Sequence, residues 1–233
     1  MTYVERPLAS SLLSCTWERR TSTVHALRVL PDACVDVIWT AERLIVAGPD
    51  TRARLVAQPP GTRSVGVRLR PGAAGVLLGL PAGELRDQVP DAADVLGCDA
   101  AQTLLEALWR GEDAHAILRY ALERRAGAGP DPLIHAAVAA LGRPHARVSS
   151  VASELGLSAR QLQRRVTDAV GYGPKMLARV LRFRRLLALG PAPLVELALD
   201  AGYADQAHMT AEVTRLSGLS PVRFLKDRRP AAA

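Results

Sequence analysis

The sequence lacks several features that would point to particular classes of protein. No uninterrupted apolar run approaches about 18 residues, and the first ten residues, MTYVERPLAS, hold neither a basic nor an apolar leader region. We therefore expect a cytoplasmic protein without a membrane partner. The three cysteines, Cys15, Cys34 and Cys98, are scattered and odd in number, which is typical of a reducing compartment and does not fit a cysteine zinc motif.

Motifs that carry chemistry are also scarce. The sequence holds no paired carboxylates, nucleophile motif or phosphate-binding loop that stands out. His25, His115 and His135 are too far apart along the chain to supply the clustered ligands of a metal-binding β-barrel. We expect no catalytic residue, no metal and no cofactor, and we do not expect an enzyme.

Lysine is almost absent, and the basic residues are unevenly distributed. Only Lys175 and Lys226 are lysines among the 30 basic residues, so the abundance of arginine reflects genome base composition and is weak evidence of function. Residues 1–142 hold 15 basic and 16 acidic side chains, whereas residues 143–233 hold 15 basic and 7 acidic ones. A basic segment of this size indicates a polyanionic partner for the C-terminal part.

The first half of the sequence predicts antiparallel strands followed by helices. In RSVGVRLR, Val65, Val67 and Leu69 alternate with polar residues and glycine, which is typical of a half-buried strand. The predicted strands are 34–39, 43–48, 53–58 and 63–70. Predicted helices follow at 101–109, 113–125 and 131–141, and the last begins with Asp131 as N-cap.

The last part of the sequence contains an internal repeat. Residues 162–177 align with residues 209–224 at an offset of 47, and residues 148–156 align with residues 194–202 at an offset of 46. The matched pairs are Leu162 and Met209, Val166 and Val213, Gly171 and Gly218, Pro174 and Pro221, and Leu177 and Phe224. Each unit has a short helix, a turn with glycine, and a second helix, which is the outline of a helix-turn-helix.

The second helix of the first unit exposes side chains suited to reading DNA bases. Ser158 and Gln161 have the spacing of a capping box, and the stripe that includes Leu162 and Val166 is expected to be buried. This arrangement forces Arg160, Gln163 and Arg164 outward. Arginine and glutamine at the start of such a helix can pair bidentately with guanine and adenine in a major groove.

Residues 148–226 resemble the DNA-binding domain of the AraC type of bacterial transcription regulators, through LGLSARQLQRRVTDAVGYGP (155–174) and AGYADQAHMTAEVTRLSGLSPVRF (201–224). The resemblance implies two helix-turn-helix units, at about 149–171 and 194–218, joined by one long helix. It also implies Gln206, Ala207 and Thr210 as base-contacting residues of the second unit. Because Ala207 and Ala211 offer few polar atoms, we expect this unit to position the protein on DNA more than to read bases.

Further residues are expected to contact the DNA phosphates. Lys175, Arg179 and Arg182 form a basic stripe on the joining helix, and this stripe is either a solvated face or a phosphate contact. Arg215 is a further candidate. The joining helix of about 15 residues would span roughly 22 Å, and with the flanking units added we expect the two reading helices to lie about 34 Å apart, one turn of DNA. Asp205 is predicted as an N-cap, His208 as a packed residue and Tyr203 as core.

The N-terminal part resembles the short N-terminal domain of some actinobacterial regulators of this type. The resemblance implies a cupin-like half-barrel that binds an effector or dimerises. Trp17 and Trp39 are either pocket residues or core residues, and the helix at 113–125 either packs on the barrel or forms a dimer interface. The predicted fold class is α+β, with a domain at 1–142, a linker at 143–147 and an all-α DNA-binding domain at 148–233.

We therefore predict a sequence-specific transcription regulator, an activator in our assignment, although the residues do not distinguish activation from repression. Double-stranded DNA is the expected partner, and RNA polymerase, a small-molecule effector and a second copy of the chain are further candidates. The alternatives are a DNA-repair alkyl-transferase, which would need an activated cysteine, and a nonspecific architectural DNA binder.

Overall fold

The computed structural model describes residues 2–22, 25–40, 42–111, 113–127 and 129–228. In these residues the strands are β1 Thr2–Pro7, β2 Leu13–Arg20, β3 His25–Val29, β4 Val35–Thr40, β5 Arg43–Ala47, β6 Arg54–Gln58 and β7 Arg63–Leu69. The α-helices are α1 Ala74–Leu78, α2 Ala92–Leu96, α3 Cys98–Trp109, α4 Ala114–Glu123, α5 Pro132–Leu141, α6 Val148–Glu154, α7 Ala159–Val170, α8 Pro174–Ala188, α9 Leu194–Ala201, α10 Gln206–Ser217 and α11 Pro221–Arg228. A 3₁₀ helix spans Ala82–Leu85.

The strands form antiparallel sheets, as the sequence predicts. Strands β1, β2, β7, β4 and β5 lie side by side in that order in one sheet, and β3 pairs with β6 in a second sheet. The four predicted strands correspond to β4, β5, β6 and β7. The predicted fold class, an antiparallel N-terminal sheet structure followed by helices, is confirmed.

The larger sheet has one apolar face and one polar face. Val37, Trp39 and Val67 lie on the apolar face, where they belong to a buried cluster with residues of α1, α3 and α4. Leu118 and Leu122 of α4 are fully buried in this cluster, so the packing interpretation of the helix at 113–125 is confirmed. Full burial of one leucine stabilises the folded state by about 1.5–3 kcal/mol.

Helix α5 packs with the helices of the C-terminal part of the structure. Its N-cap is Asp131, which accepts a hydrogen bond from the Leu133 N–H, as predicted. Ile134 and Leu141 are buried in a second cluster with residues of α6, α7 and α8. The division of the chain at residue 142 stays a prediction, and the packing of α5 is a reason to seek the boundary before Asp131.

Helices α6 to α10 form the two repeated units. Helices α6 and α7 make the first unit, α9 and α10 make the second, and α8 joins them. Gly156 and Gly202 lie in the two turns with positive φ angles of 65° and 88°, as the repeat predicts. Leu162, Val166, Met209 and Val213 are completely buried, so the repeated apolar positions form the core of this part. Among the described residues, no helix has the length and apolar character needed to cross a bilayer.

Candidate nucleic-acid interface

The expected first reading helix is α7, and its start is fixed by a capping box. The Ser158 Oγ accepts a hydrogen bond from the Gln161 N–H at 3.2 Å, and the Ser158 N–H donates to the Gln161 Oε1 at 2.8 Å. These bonds satisfy backbone groups that a helix leaves unpaired at its N-terminus. The end of α7 is fixed by Gly171, which caps the helix in the left-handed conformation at φ 94°. The helix therefore presents its outer face in a defined orientation.

Arg160, Gln163 and Arg164 lie on the exposed face of α7. Neither arginine forms an ion pair with a residue that the structure describes, so both guanidinium groups keep their hydrogen-bond donors for a ligand. The Gln163 Nε2 donates to the Thr167 Oγ1 at 3.2 Å, and its amide lies against Gly173, where a Cβ would come within 2.2 Å of it. Contact of Gln163 with a base would replace the bond to Thr167.

The second reading helix is α10, and its start is held by Asp205 and His208. The Asp205 Oδ1 accepts a hydrogen bond from the His208 N–H at 2.7 Å, which confirms Asp205 as the N-cap. The His208 Nδ1 accepts from the Ala204 N–H at 3.2 Å, and its ring packs edge-on against Tyr203 at 5.4 Å. His208 and the buried Tyr203 thus have the packing roles that the sequence predicts.

The outer face of α10 is formed by small side chains. Gln206, Ala207, Thr210, Ala211 and Thr214 line a shallow open groove. The Thr210 hydroxyl donates to the Gln206 carbonyl at 2.8 Å, so its proton is already used within the helix. Gln206 is left as the main hydrogen-bonding side chain of this face. Such a surface offers few polar atoms for direct readout of bases.

The four candidate phosphate-contacting side chains differ in whether they already contact other residues of the protein. Lys175 and Arg215 are exposed. The Arg179 Nε lies 3.2 Å from Oε2 of Glu212, a largely buried carboxylate on α10, so this pair ties α8 to the second reading helix. Arg182 lies over the Tyr203 ring at 5.4 Å. Arg179 and Arg182 therefore help to join the two units, a role that the basic stripe alone did not reveal.

A cavity of about 1010 Å³ lies on the polar face of the larger sheet. Its walls come from that sheet, from β3 and β6, and from the end of α8 through Arg184 and Leu187. Trp17 lines the cavity, whereas Trp39 points to the apolar face and is buried under the helices. The structure therefore does not bring together the two tryptophans proposed for an effector pocket.

The cavity contains a partly buried network of charges around Arg68. Its Nε lies 3.2 Å from the Asp36 Oδ1 and 3.4 Å from the Asp32 Oδ2, and its Nη1 lies 3.1 Å from the Glu5 Oε1. Burial opposes the charge of Arg68, but Asp36 and Asp32 outweigh it and raise the pKa of the guanidinium. Burial also raises the pKa of Asp36, although Arg68 acts in the opposite direction.

Arg19 lies in the same cavity without such partners. Its guanidinium lies 5.0 Å from the ring centre of Tyr3 and 5.3 Å from that of Trp17. Its buried Nε has no hydrogen-bond partner in the part of the chain that the structure describes. Burial lowers the pKa of Arg19, because the partly buried surroundings solvate its charge less well than water does. No three potential metal ligands lie together among the described residues.

Comparisons with known proteins match the two parts of the chain separately. The family described as "Helix-turn-helix domain" matches residues 151–227, and a domain of unknown function, DUF6597, matches residues 6–91. Among curated proteins, none matches this chain.

Solved structures of three proteins or complexes are similar to parts or most of the chain. The C-terminal domain of AraT, a response regulator from Geobacillus stearothermophilus, is 21% identical, with a TM-score of 0.41, over 43% of this chain and 89% of that chain. ToxT from Vibrio cholerae O395 is 10% identical, with a TM-score of 0.47, over 90% of this chain and 95% of that chain. ToxT from strain SCE256, solved with an unsaturated fatty acid, is 11% identical, with a TM-score of 0.45, over 96% and 94%.

Two helix-turn-helix units joined by one helix, each with an exposed second helix, define a double helix-turn-helix domain. The helix-turn-helix family match, over residues 151–227, spans both units. The C-terminal part of the chain therefore carries a double helix-turn-helix domain, a class of domain that binds DNA.

Proposed function

We propose that this protein is a transcription regulator and that it binds a specific DNA sequence through two successive major-groove segments about 10 bp apart. The observation that carries the proposal is the difference between the two reading faces. Arg160 and Arg164 extend freely from α7 beside the exposed Gln163, whereas α10 presents mainly alanine and threonine. We assign base readout to α7, and we assign placement on the duplex, with contact to thymine methyl groups, to α10.

Selection of bound sequences from random DNA, followed by titration of the full chain at several salt concentrations, tests this proposal. A specific regulator keeps a preference of roughly 10³ or more for the selected duplex over a scrambled one at physiological salt. A nonspecific architectural binder shows no enriched sequence, and its affinity for both duplexes falls with salt in the same way. That result would replace the proposal with the architectural alternative.

The alkyl-transferase alternative requires a thiolate nucleophile. Burial raises the pKa of Cys15 to about 11, and burial also raises the pKa of Cys34, which disfavours the thiolate form at both positions. Cys98 is the exposed cysteine. The alkyl-transferase alternative is tested directly by incubation with alkylated DNA followed by measurement of the mass of the protein. A mass increase on Cys98 would support this alternative.

We also propose that a small anionic molecule binds in the cavity and controls the regulator. Arg19 supplies a partly desolvated cation with a spare donor, and Ile38, Ile45 and Val56 supply apolar surface in the lining of the same cavity. A carboxylate or phosphate on Arg19 would gain a charge-assisted hydrogen bond. Because Arg184 and Leu187 of α8 form part of the wall, a ligand there touches the DNA-binding domain as well as the sheet.

Calorimetric titration with a panel of organic carboxylates and their neutral amides tests the ligand class. We expect carboxylates to bind and the matched amides to bind at least about tenfold more weakly, which corresponds to about 1.4 kcal/mol. Arg19→Gln should abolish this preference. Arg20→Gln is the matched control, because Arg20 is exposed and pairs with Glu18 outside the cavity. Equal binding of acids and amides would contradict the proposed ligand class.

A further inference from the structure

The N-terminal part of the chain contacts both reading helices at equivalent positions of the repeat. Gly171 ends α7 and Gly218 ends α10, both in the left-handed conformation, at φ 94° and 73°. A Cβ on Gly171 would lie 2.5 Å from the Pro49 Cγ, and a Cβ on Gly218 would lie 3.3 Å from the Arg28 Nη1. The repeated glycines therefore serve close packing as well as helix capping.

Hydrogen bonds reinforce the contact at the end of α10. The Arg28 Nη1 donates to the Ser217 carbonyl at 2.6 Å, and the Ala53 N–H donates to the Leu216 carbonyl at 2.7 Å. Carbonyls in the last turn of a helix have no partner within the helix, and a cation there also interacts favourably with the helix dipole. Arg28 and Ala53 thus satisfy groups that α10 would otherwise expose to solvent.

The contact at the end of α7 is made by tight packing. A Cβ on Gly171 would also lie 2.9 Å from the carbonyl oxygen of Ala82, so the 3₁₀ helix Ala82–Leu85 and Pro49 both press against this glycine. A Cβ on Gly83 would lie 3.7 Å from the Thr167 carbonyl. Here the two parts of the chain approach backbone to backbone, with no space for a larger residue at Gly171.

One short segment connects the two contacts. Residues 48–53, which we call the bridging segment, carry Pro49 at one contact and Ala53 at the other. The four residue steps between them span at most about 14 Å. The segment is braced at its middle, since the Asp87 Oδ1 accepts hydrogen bonds from the Thr51 N–H at 2.7 Å and from its Oγ1 at 3.0 Å. Gly48 donates to the Gln88 carbonyl at 3.0 Å.

From this arrangement we infer that the bridging segment and Arg28 fix the separation of the two reading helices and so select the spacing of the two DNA half-sites. The inference rests on the proposed sequence-specific function. Successive base pairs are about 3.4 Å apart along the duplex. Each added base pair also rotates the second half-site relative to the first by about a tenth of a turn. A segment that holds α7 and α10 at one distance therefore discriminates against sites that are one base pair longer or shorter.

Arg28 is a positioning residue in this account, because it contacts α10 at Ser217 and lies in β3, outside the reading faces. Its removal should alter the preference for spacing and leave the readout of single bases intact. A residue needed only for folding would lower affinity for every duplex in parallel.

The test uses the full chain and a set of duplexes made from the selected site. Three duplexes carry both half-sites, one at the selected spacing, one at a spacing one base pair shorter and one at a spacing one base pair longer. A fourth duplex keeps only the half-site read by α7. Arg28→Met removes the donor and keeps the side-chain length. Insertion of one glycine between Thr51 and Arg52 lengthens the bridging segment. Arg20→Met is the control for loss of one positive charge elsewhere on the N-terminal part.

We expect the wild type and Arg20→Met to favour the selected spacing by about tenfold or more, which corresponds to about 1.4 kcal/mol. Arg28→Met should reduce that preference to threefold or less at unchanged affinity for the single half-site, and the insertion should flatten the preference or move it to the longer spacing. An unchanged spacing preference in both variants, with thermal unfolding showing them folded, overturns the inference and leaves the proposed function standing. A wild type without any selected sequence overturns both.

Discussion

Replacement of Gly171 by alanine tests how strongly the two parts of the chain are packed together. Alanine in the left-handed conformation costs roughly 1–2 kcal/mol. At Gly171 the added Cβ also overlaps Pro49 and the Ala82 carbonyl, at 2.5 Å and 2.9 Å. Overpacking of this kind costs about 1–3 kcal/mol. We therefore expect Gly171→Ala to lower the free energy of unfolding by about 2–5 kcal/mol.

Gly156→Ala is the matched control for the conformational cost. Gly156 also has a positive φ, of 65°, but nothing lies within 4 Å of a Cβ placed there. This variant should lose only about 1–2 kcal/mol. The difference between the two variants isolates the contact with Pro49 and Ala82.

Urea unfolding followed by two signals measures the effect. The three tryptophans, Trp17, Trp39 and Trp109, all lie in the first 142 residues, so fluorescence reports on the N-terminal part, whereas circular dichroism reports mainly on the helices. Gly171→Ala should lower the midpoint of the dichroism transition and separate it from the fluorescence transition. Equal losses in Gly171→Ala and Gly156→Ala would refute the argument that close packing at Gly171 joins the two parts.

Three further predictions concern α7, the start of α8 and the sheet. Arg164→Ala should weaken binding to the selected site by about 1–3 kcal/mol and relax the preference at one base position. Lys175→Ala should weaken binding to all duplexes alike and lower the slope of log affinity against log salt concentration by about one. Similar behaviour of the two variants in DNA titrations would contradict the division into reading and phosphate-contacting residues. Ser158→Ala should lower the free energy of unfolding by about 1 kcal/mol in urea titration, because the capping box is lost, and no change would contradict a stabilising role of this cap. The hydrogen bond from Arg63 lowers the pKa of Glu18 to about 2, with Arg20 and His115 also contributing. Glu18→Gln should therefore destabilise the protein near pH 6, and its difference from the wild type should fade as the pH drops from about 4.5 towards 2. A difference independent of pH would exclude this ionic contribution.

The features that the sequence predicts correctly depend on neighbouring residues. Asp131, Ser158 and Asp205 act on backbone groups two or three residues away, so their capping roles follow from local spacing. The repeat was visible because both units need the same buried positions and the same left-handed glycines.

The two tryptophans show why other features were not predictable. The pairing of β2 with β7 shifts between Leu13 and Cys15, which is a bulge. An extra residue there reverses the alternation, so Leu13 points to the apolar face and Trp17 points into the cavity. Alternation alone therefore did not place Trp17 and Trp39 on opposite faces of the sheet.

Contacts between distant residues were also beyond sequence reasoning. Arg28 and Ser217 are 189 residues apart, and no local pattern indicates that they meet. The ion pair of Arg179 and Glu212 likewise gives a structural role to an arginine that the basic stripe assigned to phosphate contact. Long side chains of arginine are abundant in this chain, and only the fold determines which of them meet an acid, a carbonyl or solvent.

The measurement that tests the central claim most directly is base protection along the selected site. Methylation of guanine N7 and adenine N3 distinguishes the major from the minor groove, because these atoms lie in different grooves. With the full chain bound, we predict protection in two major-groove segments centred about 10 bp apart, with Arg164→Ala weakening protection in one segment alone. Protection confined to one segment, or spread evenly along the duplex, would contradict the account.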